Sequence, residues 1–355
     1  MKILFVVRDI EMGGAGKQLC LTANELERRG HDVGIFTYCS KVRNPLLADN
    51  IMFYCCLNET NNTLFEYLRV IPQIRGIVRK VHPNVIISWR ANAGCFTRLA
   101  TIGMKCKVIF SERTDPYMET SLLLKIATYI CSFSDGGVFQ TAQAQKYYKK
   151  LVNKSVVIPN PYVTEDNIDD ILPFSLRKRE IAYVARFFLK QKRQDVMLDA
   201  FKRIIKFHPD YTLVFYGNGE DIDVVKEMVR KKRLDSYVVF KGTISNVVEV
   251  IRQSRVLVLS SDYEGIPNVV LESFEAGTPV ASTDCSPGGV RVLIENNVNG
   301  LISPIGDSAK LAENILRIID DEQLSIEFVK KSKVKLQEFS PQKIFDKWEQ
   351  YLLKK

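Results

Sequence analysis

Four side chains in the second half of the sequence have types and spacing suited to a phosphorylated, hydroxyl-rich ligand. Glu264 and Glu272 stand in VLVLSSDYEGIPNVVLESFEAGTPVAST, residues 256–283, with seven residues between them. Glu264 falls just before a helix start and Glu272 about two turns along it, roughly 12 Å away at 1.5 Å per residue. That separation is too large for a shared proton. It suits two hydroxyl-bearing groups of one long ligand, with a phosphate between them on the free N–H groups of the helix start. Upstream, ARFFLKQKRQD places Arg186 at the end of a strand and Lys192 at the start of a helix. Two fixed cations so placed form a clamp for a diphosphate. Lys190 and Arg193 compete with Lys192 for the second position. The plainer alternative is a solvated helix face with Glu264 as a charge favoured by the helix dipole.

The elements that must position these groups follow from pattern. Val256–Leu259 is a short apolar run expected to be a buried parallel strand. Ser260–Gly265 is its polar exit loop, and Pro267-Asn268 opens a helix that Gly277 stops, with Pro279 just beyond. Val280–Ser282 is the next strand. The same alternation begins at KILFVV, residues 2–7, followed by MGGAGKQL. Gly13, Gly14 and Gly16 there let backbone N–H groups approach a phosphate or sugar. The loop is neither a Walker A nor a G-x-G-x-x-G motif. Gly217-Asn218-Gly219-Glu220 follows another strand as a close-approach loop, and Gly288-Gly289 precedes a helical turn. Asp221 and Asp223 form a D-x-D pair inside the helix that follows, read as surface charge. Loops after NVIIS (84–88) and KVIF (107–110) carry Arg90, Asn92, Arg113 and Asp115. A helix is expected over 61–81, broken or kinked at Pro72, and another over 143–154. Both are basic, with apolar residues that either pack inward or rest on a membrane surface.

At 355 residues, with 46% hydrophobic and 26% charged residues, the chain fits about two soluble globular domains. No apolar run approaches the ~20 residues of a membrane span. The eight cysteines form no C-x-x-C pair, and the three histidines are scattered, so reduced thiols in a cytoplasmic protein are expected and a zinc cluster is not. The net charge is +9, and residues 1–160 hold all of the excess, with 21 Lys+Arg against 12 Asp+Glu. A basic half without a nucleic-acid motif points to an anionic partner: a membrane surface or a phosphorylated acceptor. The Pro-rich PNPY (159–162) and the polar run after it mark a boundary. Residues 1–163 and 164–339 are the expected domains, and the helix of 340–355 is expected to return to the first. Alternating strands and helices in both halves argue for an α/β fold of two doubly wound parallel sheets.

EGIPNVVLE, AGTPVASTD and GLISPIGD together resemble the E-x7-E region of retaining glycosyltransferases of family 4, which have the GT-B fold of two Rossmann-like domains facing a cleft. The resemblance covers nearly the whole chain and is strongest over 181–307. It implies that Glu264, Arg186 and Lys192 act on the transferred sugar and its diphosphate. It implies that Glu272 holds the ribose of a nucleotide-sugar, expected to be a UDP-sugar, with Gly14, Gly217, Asn218, Gly265, Ile266, Asn268 and Val269 around the donor. Gly13, Arg90, Asn92, Arg113 and Asp115 are the implied acceptor-side residues. SERTDP and GVFQT resemble the branch that builds polysaccharides and lipid-linked oligosaccharides. The implied activity is transfer of a hexose or N-acetylhexosamine to such an acceptor, without a metal cofactor, in the cytoplasm or peripherally on the inner membrane face. Trp89 stands where many members have a histidine, which speaks against histidine assistance. A nucleotide-sugar epimerase and a non-catalytic nucleotide-sugar-binding partner remain the other classes. A product still joined to its nucleotide would reveal the first.

Overall fold

The computed structural model of the chain describes residues 1–10, 14–56, 64–118, 121–164 and 171–354. The chain divides into two compact units, Met1–Pro161 with Pro341–Lys355, and Tyr162–Ser340.

The first unit is built on strands β1 (Lys2–Val7), β2 (Asp32–Thr37), β3 (Met52–Cys55), β4 (Val85–Trp89), β5 (Lys107–Ser111), β6 (Gly136–Phe139) and β7 (Ser155–Val157). They form one parallel sheet in the order β3-β2-β1-β4-β5-β6-β7. Strand β1 shows why a continuous apolar run is needed there. Ile3, Phe5 and Val7 enter one core, with Leu19, Ala23 and Leu26 of helix Gly14–Arg28. Leu4 and Val6 enter the other, with Val70, Ile74 and Val78 of helix Leu64–Val81. Successive side chains point to opposite faces, so a strand covered on both sides must be apolar throughout.

The second unit repeats the plan with β8 (Lys178–Val184), β9 (Thr212–Tyr216), β10 (Val238–Gly242), β11 (Ser254–Leu259), β12 (Val280–Thr283) and β13 (Leu301–Ser303). Its parallel order is β10-β9-β8-β11-β12-β13. Val256 and Val258 of β11 join one core, Leu257 and Leu259 the other. Strand order reverses between β1 and β4 in the first sheet and between β8 and β11 in the second. In open α/β sheets, ligands bind beyond the carboxyl ends of the strands at such a reversal.

Helix Pro341–Leu353 packs on the first unit. Arg29 binds Asp346 and Glu349 at 2.8 and 2.9 Å. Trp348 stacks on Trp89 with ring centroids 6.4 Å apart, and the Tyr351 hydroxyl accepts from Gly137 N and donates to Lys154 O. Among the described residues, no helix is long and apolar enough to cross a membrane.

Two local expectations need correction, and the sequence reading named no element at β3. Strand β3 (MFYC) pairs with β2, although its exposed Met52 and half-buried partners give it no strong apolar pattern. Pro72 sits inside an unbroken helix, whose apolar side on the sheet outweighs the lost backbone bond. The expected helix over 143–154 ends at Tyr147. Tyr148 turns inward between Phe110 and Phe139, and the chain continues as a 3-10 turn, Val152–Lys154, into β7.

Candidate active site

The second unit brings Arg186, Lys192 and Glu264 to its sheet reversal. Arg186 leaves β8, Glu264 leaves β11, and Lys192 lies on the short helix Leu189–Lys192 that follows β8. Lys192 therefore closes a helix instead of opening one: Arg193 follows in the left-handed region at φ 52°, and helix Gln194–Ile204 starts afresh.

The short helix is fixed from three sides. Asp221 Oδ2 accepts from Leu189 N at 2.7 Å. Ser260 Oγ donates to the carbonyls of Lys192 and Arg193 at 2.9 Å, and the buried Tyr183 hydroxyl donates to Lys192 O. Asp221 thus has a positioning role, which corrects its reading as surface charge. The loop after β9 packs backbone to backbone against the Arg186 loop. Phe187 N donates to Asn218 O at 3.0 Å. A Cβ on Gly217 would lie 2.1 Å from Ala185 O, and one on Gly219 would lie 2.3 Å from Phe187 O. Both glycines are therefore required by close approach, and Gly217 also by its φ of 128°. The exposed Asn218 folds its side-chain oxygen onto Gly219 N at 2.8 Å.

Lys192 Nζ and Glu264 Oε1 form an ion pair. Their side chains are only 18% and 11% exposed, so solvent screens the pair far less than a surface one. Ser261 Oγ donates to the same Glu264 oxygen at 2.8 Å. Arg193 is bound by Asp195 and Asp262 at 3.0 and 2.9 Å, which removes it as a competitor for the diphosphate. Arg186 is exposed, its guanidinium 5.1 Å from the Phe188 ring centre. Among the described residues it has no carboxylate partner. Gln194 Nε2 anchors its carbonyl at 3.1 Å.

The Glu264 loop is held by its backbone. Glu264 N donates to Ser286 O at 2.7 Å. A Cβ on Gly289 would sit 1.4 Å from Gly265 O, so the Gly265–Ile266 peptide, just after Glu264, rests directly on the start of helix Gly289–Leu293. Helix Asn268–Ala276 follows Pro267 and ends at Gly277 in the left-handed region, as the sequence pattern required. Ile266 is buried, Val269 and Glu272 are half-buried, and the enclosed Asn268 Oδ1 has no partner. Burial, and then the Glu264 charge, push the Cys285 thiol well up, which keeps it an inert thiol in the wall.

The first unit holds a pocket of about 140 Å³ at its own reversal, walled by Arg8 beyond β1, Trp89 and Arg90 at the end of β4, and Asn92, Glu112 and Asp115. Arg90 and Asn92 thus share one cavity. Arg90 adopts φ 76°, a strained value for a non-glycine residue that costs about 1–3 kcal/mol. Its N–H donates to Ser111 O at 2.8 Å. Arg113 is not among the residues that wall this pocket. Its guanidinium lies 4.2 Å from the Trp89 ring centre and 5.5 Å from that of Trp348. Its Nε donates to Ser111 Oγ, and Nη2 is enclosed without a partner. Desolvation brings its pKa down to about 9, against the pull of Glu112. Asp115 accepts from Tyr117 N at 2.9 Å. Gly14 begins helix Gly14–Arg28, and Gly13 lies outside the described residues.

Glu112 was missed by the sequence reading. It is 2% exposed, receives the Tyr148 hydroxyl at 2.6 Å, and also accepts from Thr114 Oγ1 and from the N–H groups of Arg113 and Thr114. Burial, followed by the Glu112 charge, raises the Tyr148 pKa well above its usual value. A carboxylate directly after a buried strand was the available signal. Arg8, which exits β1, was passed over for the same reason.

Family models tile almost the whole chain. The one described as Glycosyltransferase Family 4 matches residues 12–166, and Glycosyl transferases group 1 matches 164–335. The chain is 22% identical over 356 residues to an uncharacterized glycosyltransferase of Haemophilus influenzae, covering 98% of each. It is 25% identical to a Campylobacter jejuni alpha-1,4-N-acetyl-D-galactosaminyltransferase of a diNAcBac-PP-undecaprenol-linked glycan, covering 98% of this chain and 97% of that one. The solved structure of Anabaena HepE in complex with UDP superposes with a TM-score of 0.78 at 20% identity, over 99% of both chains, which places the fold as GT-B. With both halves matched in order, the chain belongs to the family 4 glycosyltransferases and is a glycosyltransferase enzyme.

Proposed function

We propose that this enzyme transfers a hexose or N-acetylhexosamine, with retention, from a UDP-sugar to a lipid-linked or polysaccharide acceptor in cell-surface glycan synthesis. The observation that carries the reading is the grouping of Arg186, Lys192 and Glu264 at the reversal of the second sheet. The UDP in the Anabaena structure and the undecaprenyl-linked substrate named for the Campylobacter relative support the donor and acceptor classes.

Glu264 Oε1 already takes Lys192 and Ser261, so its second oxygen remains for a hydroxyl of the transferred sugar. Lys192 has two further N–H donors for the diphosphate. Arg186 supplies a planar fork beside it, and the start of helix Asn268–Ala276 adds backbone donors. Glu272, further along that helix, takes the ribose hydroxyls. The bond from the anomeric carbon to the phosphate oxygen breaks as the acceptor oxygen attacks on the same face. The acceptor's proton passes to the departing phosphate. Fixed cations stabilise the negative charge that develops there, without a metal ion. The pocket with Arg90, Asn92 and Glu112 serves the acceptor. Enzyme and acceptor meet at the inner face of a membrane, where the basic first half favours anionic lipid.

A thermal-shift panel in EDTA tests this reading. A nucleotide at one hundred times its Kd stabilises by about 2.7 kcal/mol, or roughly 5–10 °C for a unit of this size. UDP and one UDP-sugar should give this shift, with GDP and ADP inert. No response to any uridine nucleotide, or a product still attached to the nucleotide, refutes the proposal.

A further inference from the structure

Helix Leu122–Cys131 turns an apolar face outward. Ala127, Thr128 and Cys131 are buried, whereas Leu122 is 73% exposed, Leu123 62%, Ile126 48%, Tyr129 59% and Phe133 48%. Positions 122, 126, 129 and 133 follow the spacing of a single helical face. Tyr117 and Met118 are also exposed large apolar residues. Isolated exposed apolar side chains are ordinary, but a contiguous set on one helix marks an interaction surface.

The charges around this face are mostly basic, with Asp135, which accepts from Val108 N at 2.8 Å, the acidic residue that follows Phe133. Lys125 is the only charged residue of 121–133, and 136–154 carries Lys146, Lys149, Lys150 and Lys154 with no acidic residue. Lys150 Nζ lies 4.0 Å from the Phe133 ring centre and 4.5 Å from that of Tyr129. Its ammonium thus sits over the two exposed aromatic rings, a cation–π contact that holds positive charge on the apolar face itself. The other side of this helix faces the first-unit pocket, through Leu124 and Thr128.

We propose that this face inserts into the headgroup region of an anionic bilayer, with the lysines on the lipid phosphates. The one helix then seats the enzyme on the membrane and walls the pocket that receives the acceptor's sugar. A lipid-linked sugar reaches that pocket without leaving the headgroup layer. The last step rests on the lipid-linked acceptor reading; the membrane contact itself does not. A protein partner would be expected to offer acidic groups to these lysines, and a second copy of this face would place like charges together.

The test is flotation of the full chain with vesicles of phosphatidylcholine alone or mixed with phosphatidylglycerol. The wild type should float with the mixed vesicles and much less with the neutral ones. The double variant Leu123→Asp/Ile126→Asp should lose about tenfold or more of the bound fraction. Lys149→Glu/Lys150→Glu should lose the preference for anionic lipid. All four positions are exposed, so unchanged circular-dichroism melting is expected. Equal flotation of the apolar variant, or no wild-type binding at low salt, overturns the proposal. So does a wild-type dimer that the apolar variant converts to a monomer. The UDP thermal shift is measured on the same samples. Failed flotation with an intact UDP response refutes the surface alone, and the converse refutes the transferase reading alone.

Discussion

Replacing Lys192 by alanine removes one cation from the diphosphate and also strips Glu264 of its ion partner. The two consequences separate by magnitude. The Glu264 side chain is 11% exposed and keeps the Ser261 hydroxyl. Leaving it short of a charged donor costs about 1–3 kcal/mol of stability, roughly 3–10 °C in the melting of a unit this size. A preorganised charge contact to a developing anion contributes about 3–4 kcal/mol to the barrier, so kcat should fall 10²–10³-fold. Glu264→Gln keeps the shape and can still accept from Lys192, so its stability loss should be smaller. Its effect should fall on the sugar, with UDP affinity nearly unchanged, whereas Lys192→Ala weakens UDP itself. Because the two side chains touch, the double variant should be little worse than the poorer single one. The assay is release of UDP from the donor by slow hydrolysis, alongside UDP titration and thermal melting. Turnover within threefold of wild type in Lys192→Ala, or fully additive losses in the double variant, refutes the assignment of these residues to one unit.

Gly289→Ala should lower UDP release about 10²-fold with the fold intact. Its Cβ would need the space of Gly265 O, 1.4 Å away, and must displace the Gly265–Ile266 peptide and with it the loop of Glu264, and displacements on the 1 Å scale cost about that much. Gly76→Ala, with nothing within 4 Å of the added carbon, is the control, and near-wild-type activity in Gly289→Ala would refute the role of that contact. For pH, the Arg28 hydrogen bond, and secondarily Arg29, hold the Glu25 carboxyl below its usual pKa despite opposing desolvation. The folded state then binds its proton less readily than the unfolded one. This contribution is present above the unfolded carboxylate value of about 4.5 and is lost as pH falls below it. Glu25→Gln should therefore narrow the melting gap to wild type on acidification, and a gap that stays constant from pH 7 to pH 3 refutes the linkage.

The sequence carried the donor half well because backbone rules dictate it. A buried strand on a doubly covered sheet must be apolar, a helix needs a left-handed stop such as Gly277, and a loop packed against another backbone needs glycine at 217, 219 and 289. Each of these constraints acts within a few residues, so each leaves a local trace. Charge partners leave none. Lys190, Lys192 and Arg193 are near-equivalent in the sequence. What separates them is Asp262 on Arg193 and Glu264 on Lys192, contacts that span about seventy positions and exist only after β8 and β11 pair.

The first unit shows the same limit from the other side. Arg113 and Asp115 sit in a polar loop after a strand, where side chains commonly reach a ligand. Trp348, more than two hundred residues later, stacks on Trp89, and the Arg113 guanidinium closes over the pair. Glu112 beside it, whose strand-end position was its one signal in the sequence, lines the pocket with Arg90. Helix Leu122–Cys131 is the sharpest case. Its apolar spacing is that of a core helix, and helix Leu64–Val81 with comparable spacing does pack on the sheet. Periodicity reports that a face is apolar, not what covers it. In Leu122–Cys131 the small residues Ala127, Thr128 and Cys131 take the protein side, and the large ones are left for another medium. Small residues inward with large ones outward reverses the order of a core helix, and that reversal shows only once the helix is seated on its unit.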